Sequence, residues 1–414
     1  MKLVITSLLI TLCFIPKFIH ALDKSTVDKI LEDLKSTIGS AEEDGVKFLI
    51  PGIVRMVFHD CADGCDACLN LDHPANVGIE RTLNSLEPVY ESYRDSISRA
   101  DLWALASKAA FEMSVDINNE RCQEESCKTP KVNIRFKFGR TDCSTSPRHS
   151  QNMVIPSPFD TSDTLMPWFK ETFGFKPNEV VAIMGLHTLG KAGSPFNRAW
   201  ENDNKDGLSN FYYKKISDPN HCWVQEYIDP ELSGAPNKLF FWRTGEFKGF
   251  ALPIDMTLFK DIQVESTKTG ESSCTYYDCN KASTAGMFKR YANDIKNWTK
   301  HIERLYSRII EKTSDNLKNL RHQGGKFVLP STLRKTETQC DTIKFSRSTN
   351  VLFETCLLKE KSNRTSCMAP KYFQITLAMA LIWKRASTSF YKLILSEGIP
   401  KLPSIRILNM ETIH

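Results

Sequence analysis

What this 414-residue chain lacks narrows it first. Past its opening residues it has no apolar run of membrane-spanning length. The stretch Phe373 to Trp383 falls short of the ~20 residues a span needs and carries Gln374. There is no internal repeat and no low-complexity tract, which argues against a solenoid or a disordered linker protein. Charge of one sign is also scarce. With 54 Lys and Arg against 49 Asp and Glu, the net charge of +5 gives no case for a nucleic-acid partner. What remains is ordinary globular composition, 41% hydrophobic and 25% charged. The length suits two or three domains, or one two-lobed domain with extensions.

The first residues bear on compartment. Lys2 precedes the apolar run Leu3 to Ile15, followed by Pro16 and a small residue, Ala21. A charged start, a short apolar core and a small-residue exit read as a secretory signal peptide over 1–21, so a secreted, extracellular protein is expected. Of 13 cysteines, Cys13 leaves with the leader, and an even set remains. In an exported chain most of these are expected in disulfides. Asn297-Trp298-Thr299 and Asn363-Arg364-Thr365 are glycosylation acceptors of the kind used in that compartment.

The class reads as mainly α. Leu49 to Cys61 is apolar apart from Arg55, His59 and Asp60, the pattern of a buried helix with Pro51 at its start. Ser98-Arg99-Ala100-Asp101 looks like a capping box. Pro177-Asn178-Glu179 opens a helix running through His187, and residues 286–312 read as one amphipathic helix. Past Gly324-Gly325 the composition turns Lys- and Ser-rich, with no fold assignable.

Two places carry chemistry. Arg55, Phe58 and His59 fall at i, i+3 and i+4 and so share one helix face. A cation and a base on an otherwise apolar helix are costly unless that face lines a polar cavity. Cleaving a peroxide O–O bond needs such a pair, a base to move the proton and a cation to steady the developing charge. A buried His–Arg packing motif is the plainer reading of the spacing alone. His187 sits on an apolar helix face beside Gly185 and Gly190, which would let a flat macrocycle approach. A lone histidine there is more often a satisfied core residue.

Taken together these segments resemble the plant, fungal and bacterial haem-peroxidase superfamily. Arg55-Met56-Val57-Phe58-His59-Asp60-Cys61 with GCDAC resembles its distal signature, and MGLHTLGKA its proximal one. HPANVGIE (73–80), SRADLWALA (98–106), FGRTD (138–142) and PSPFDTSD (156–163) lie between them in family order, with LPIDMTL (252–258) and FKRYANDIKNW (288–298) after. The resemblance covers roughly residues 25 to 310. It implies a mainly α, two-lobed helical haem-peroxidase fold with haem b between the lobes. The expected organisation is 1–21 signal peptide, 22–310 haem-peroxidase domain and 311–414 C-terminal extension.

By resemblance Arg55 and His59 are the distal catalytic pair, Phe58 the aromatic wall, and Asn76 the acceptor for the other ring N–H of His59. His187 is the axial iron ligand, and Asp255 the carboxylate that gives its imidazole anionic character. The implied activity is reduction of hydrogen peroxide through a ferryl intermediate, with oxidation of a small organic reductant. Phe58 and Asp60-Cys61 point to the secreted branches, whereas HPANVGIE looks more like ascorbate peroxidases.

Secreted relatives also bind calcium. Asp60, Gly64 and Asp66 could form part of that oxygen cage, and Thr188 part of a second. The Cys61–Cys65 loop, a disulfide candidate, is one residue short, and Cys68 stands where a hydroxyl is expected. Ascorbate peroxidases carry an Arg nine residues after the axial His. Phe196 occupies that position here, which favours phenolic or aromatic donors, and Trp223 is assigned to packing. Two rivals stand beside this reading. Cys61, Cys65 and Cys68 have the C-x3-C-x2-C spacing of a radical-SAM cluster, and a non-enzymatic secreted haem or adhesion protein could use the same scaffold.

Overall fold

The computed structural model describes residues 22–149, 154–193, 196–228, 239–244, 249–262, 274–312 and 317–320. The leader at 1–21, the stretch 321–414, Asn363, and Cys340, Cys356 and Cys367 lie outside them.

Helices dominate the described residues, in the mainly α, two-lobed haem-peroxidase arrangement. The first lobe is built from α1 (Lys24–Ser40), α2 (Leu49–Asp63), α3 (Ile79–Tyr93) and α4 (Arg99–Arg121), with the short strands β1 (Glu42–Glu43) and β2 (Val46–Lys47) paired between α1 and α2. Local chemistry sets these boundaries. Asp23 caps α1 by accepting from Thr26 N, and Ser98 caps α4 by accepting from Asp101 N. The second half of the expected capping box does not form. The Asp101 carboxylate instead accepts from Gly139 N and pairs with the buried Arg140 guanidinium at 2.7 Å. Removing one partner of such a buried pair typically costs ~3–5 kcal/mol, because the other is left uncompensated.

The second lobe contains α5 (Ser162–Phe173), α6 (Pro177–Met184), a 3₁₀ turn at Gly185–Thr188, α7 (Phe211–Ser217), α8 (Pro253–Met256), α9 (Ala285–Asn293) and α10 (Ile295–Ile310). Strand β3 (Lys137–Phe138), which follows α4, pairs with β7 (Lys318–Asn319), which follows α10. Strands β4 (Trp223–Ile228), β5 (Leu239–Thr244) and β6 (Phe250–Ala251) form a small antiparallel sheet in the order β4-β5-β6.

Two helices differ from expectation. The stretch 286–312 is two helices, because Asp294 leaves helical geometry and accepts from Asn297 N, starting α10 afresh. That break puts the Asn297 acceptor in the first turn of α10. The helix bearing His187 ends at Met184 and tightens to 3₁₀ form. Gly185 is needed there for the Tyr213 ring, which a Cβ would strike, and Gly190, at φ +82, lies where a Cβ would meet Pro51 at 2.9 Å. Both glycines make room for protein rather than for a macrocycle.

Helix α10 joins the lobes. Trp298, Ile302, Leu305, Tyr306 and Ile309 are fully buried along it, each worth ~1.5–3 kcal/mol if its side chain is otherwise exposed, and the Tyr306 hydroxyl donates to Val54 O in α2.

Among the described residues four disulfides fasten the loops: Cys61–Cys65, Cys68–Cys143, Cys122–Cys127 and Cys274–Cys279. The Cys61–Cys65 expectation is met. The same bonds occupy Cys61, Cys65 and Cys68, leaving no thiolate for an iron–sulfur cluster, so the radical-SAM reading falls.

Candidate active site

Helix α2 carries the first half of the site. Its flanks bury Ile53, Val54, Met56 and Val57, while Arg55 remains exposed one residue away from fully buried neighbours. His59 is buried, and its Nδ1 meets Asn76 Oδ1 at 2.7 Å. Asn76 belongs to a 3₁₀ turn at Pro74–Asn76 and is fixed in its orientation by donating Nδ2 to Asn70 O at 2.7 Å. Oδ1 is an acceptor only, so Nδ1 carries the proton and Nε2 keeps its lone pair. Burial, and then the charge of Arg55, push His59 down to about 3, which keeps it neutral. Arg55 donates to Val77 O at 3.0 Å and Ala75 O at 2.6 Å. These use two of five guanidinium N–H donors and hold the group at the cavity with the others free to stabilise an anion. Phe58 packs against Trp168, Phe169 and Phe173 as an aromatic wall.

The second half is centred on His187. Its Nδ1 lies 2.6 Å from Asp255 Oδ1, and Asp255 is completely buried at the start of α8. Asp255 also accepts from Leu252 N, so it caps α8 and orients His187 at once. Two residues that sequence reasoning missed complete the set. Trp200 donates Nε1 to Asp255 Oδ2 at 2.6 Å and stacks on the His187 ring, with centroids 4.5 Å apart. Tyr212 donates its hydroxyl to Asp255 Oδ1 at 3.1 Å. The one sequence signal for Trp200 was a Trp heading the polar run Glu201 to Asp206, where its N–H calls for an acceptor. Trp223 packs against Tyr276 and donates to Lys215 O, as expected for a structural residue. Phe196 joins Phe159, Phe241 and Phe250 in an aromatic cluster that reaches Trp200 through Phe250.

His187 and His59 lie near enough to interact electrostatically, and the His187 side chain stays 34% accessible between buried Leu186 and Thr188. An accessible histidine with a pinned Nδ1, opposite an accessible arginine and a neutral histidine, fits a haem. Nε2 of His187 would hold the iron, and Phe58 and Trp200 would flank the pocket. Asp60 is buried and turns Oδ1 onto Cys68 N, Cys68 is a disulfide half, and the Thr188 hydroxyl pairs with Ser209 at 3.3 Å. Asp66 stands against Gly64.

Fold and site together define the class: a mainly α protein with a haem pocket between two histidines. A family model described as Peroxidase matches residues 31–269, more than half of the chain, and the chain belongs to the peroxidase family. It is 33% identical over 156 residues to the lignin-forming anionic peroxidase of Nicotiana tabacum, covering 34% of this chain and 42% of that protein. To Peroxidase 40 of Arabidopsis thaliana it is 31% identical over 155 residues, 34% of this chain and 40% of the other. To the chloroplastic L-ascorbate peroxidase T of the same plant it is 24% identical over 328 residues, 72% of this chain and 68% of that protein. The chain thus spans less than half the length of the first two.

Proposed function

We propose that this chain is a hydrogen-peroxide-dependent haem peroxidase that is secreted and oxidises small phenolic or aromatic donors. One observation carries the reading: two neighbouring histidines each have Nδ1 fixed by a different kind of partner, an amide oxygen for His59 and a carboxylate for His187. The neutral partner leaves His59 a base. The charged partner makes His187 a strong electron donor toward a metal.

When bound, haem supplies the iron that takes up peroxide and stores its oxidising equivalents. His59 Nε2 accepts the proton of the incoming hydrogen peroxide and hands it to the departing oxygen, which leaves as water. Arg55 donates to the charge that builds on that oxygen as the O–O bond lengthens. Asn76 holds His59 in the tautomer that can do this, and the buried Phe169–Phe173 cluster behind Phe58 keeps bulk water out. Asp255 keeps the His187 ring in place through its Nδ1 proton.

Donor choice follows from Phe196. A neutral aromatic cannot replace the charge-assisted bonds of an arginine, worth ~1.5–3 kcal/mol each to an anionic donor. Its cluster with Phe159 offers stacking instead. Secretion is supported by the leader pattern at 1–21 and by four disulfides, which persist in oxidising compartments.

The test is steady-state specificity for guaiacol against ascorbate under matched conditions. Guaiacol is expected to have the higher kcat/KM, and a clear preference for ascorbate would remove the phenolic assignment.

A further inference from the structure

The proximal side contains a line of tyrosines that the proposed reaction does not use. Tyr212 lies edge-on to His187, with ring centroids 6.3 Å apart, and Tyr213 follows at 5.1 Å. Tyr291, in α9, stands 5.3 Å beyond Tyr213. All three rings are fully buried, and the line ends at half-buried His301 in α10, whose Nδ1 is 2.6 Å from the Tyr291 hydroxyl.

The three phenols differ in what could take their proton. Tyr213 donates to the carbonyl of Val181 at 2.7 Å, and an amide oxygen is no base. Tyr212 donates to Asp255 Oδ1, an oxygen that already receives His187 Nδ1, while the other oxygen receives Trp200. Of the three, and among the described residues, only Tyr291 meets an imidazole with no other donor on that nitrogen, and its hydroxyl lies farther, 3.5 Å, from Asn178 O. Burial, then the charges of Arg304 and Arg290, push His301 below the ordinary histidine value, which favours the neutral ring, and in the tautomer that bears its proton on Nε2 the Nδ1 atom accepts from the Tyr291 hydroxyl.

We propose that Tyr291 is a one-electron oxidation site remote from the haem, connected to it through Tyr212 and Tyr213, with His301 as its proton acceptor. This rests on the peroxidase reading, which supplies the oxidant: haem oxidised by hydrogen peroxide. One electron passes from the Tyr291 phenol along the edge-on and tilted ring contacts to that oxidised haem, which is thereby reduced by one equivalent. The phenol O–H bond breaks, and its proton moves to His301 Nδ1, giving a neutral tyrosyl radical beside an imidazolium. A small one-electron donor then returns the electron, and His301 returns the proton. The site holds an oxidising equivalent when no donor occupies the haem edge. Tyr213 serves as a relay because its carbonyl partner cannot keep the proton.

The test uses the full-length holoprotein, mixed with one equivalent of hydrogen peroxide without donor, freeze-quenched and read by electron paramagnetic resonance. The Soret band is followed in parallel. The parent is expected to give a tyrosyl signal. Tyr291→Phe should lose it, and His301→Gln should lose most of it, because glutamine accepts a hydrogen bond but not a proton. Both variants should keep the peroxide-induced Soret change. A parental signal in Tyr291→Phe, or a signal removed only by Trp200→Phe, would overturn the proposal and leave the oxidising equivalent next to the haem. A parent whose Soret band ignores peroxide would remove the peroxidase reading, and this proposal with it.

Discussion

The two histidines of the pocket are held by opposite designs. His59 has one neutral partner, Asn76, on a short turn, and beside it Arg55 reaches only backbone carbonyls. His187 is tied to a fully buried carboxylate that also takes Leu252 N, Trp200 and Tyr212. The lightly held side is suited to moving a proton, since a base must change partners during the reaction. The heavily held side is suited to staying put. A buried carboxylate that receives four donors is fixed in place, and it would act on a bound metal only through the His187 ring.

That contrast can be broken from either side. The largest effect is expected from His187→Ala, which should lose or severely loosen haem, and an unchanged haem content and Soret band in that variant would remove His187 as the axial ligand. Next comes His59→Leu. It should retain haem but slow the reaction with peroxide by ~10²–10⁴-fold or more, because proton transfer and charge stabilisation are lost together. Stopped-flow rates equal to the parent's would take His59 out of the mechanism.

Asp255→Asn is milder. An amide can still accept from His187, but it cannot confer anionic character, so the iron potential should rise and the peroxide reaction should slow by ~10–100-fold. Redox titration with no change would assign that role elsewhere.

The smallest effect concerns pH. His59 is pushed from its ordinary value down to about 3 by burial and Arg55, so the neutral, proton-accepting form persists as pH falls through the normal histidine range. The peroxide rate should therefore stay level from pH 8 to about 5, and decline only as the lowered value is approached. A midpoint near ~6.5 would show an exposed, unperturbed imidazole instead.

Much of this site was legible in the sequence, for reasons that differ by residue. Arg55 and His59 could be placed on one face because a continuous apolar helix fixes the relation between i and i+4. Asn76 and Asp255 came through resemblance to family segments, and the structure puts both in hydrogen-bond contact with the histidines expected of them. Trp200 and Tyr212 were not found, since they reach Asp255 from a polar loop and from a short helix with no shared periodicity. The Cys68–Cys143 pairing was equally hidden, its halves lying 75 residues apart.

By itself the sequence determined the helical class, the base and cation on α2 and the histidine after α6. These depend on composition and on spacings of a few residues, which local geometry converts directly into faces and caps. Only the tertiary structure decided that Gly185 and Gly190 admit Tyr213 and Pro51, that Asp294 restarts a helix, and that Asp255 gathers four donors. Each of these sets a buried polar or close-packed contact between segments far apart in the chain. Such contacts are chosen by the requirement that buried donors and acceptors be satisfied at native packing density, a condition on the whole assembled core that no single stretch of sequence states.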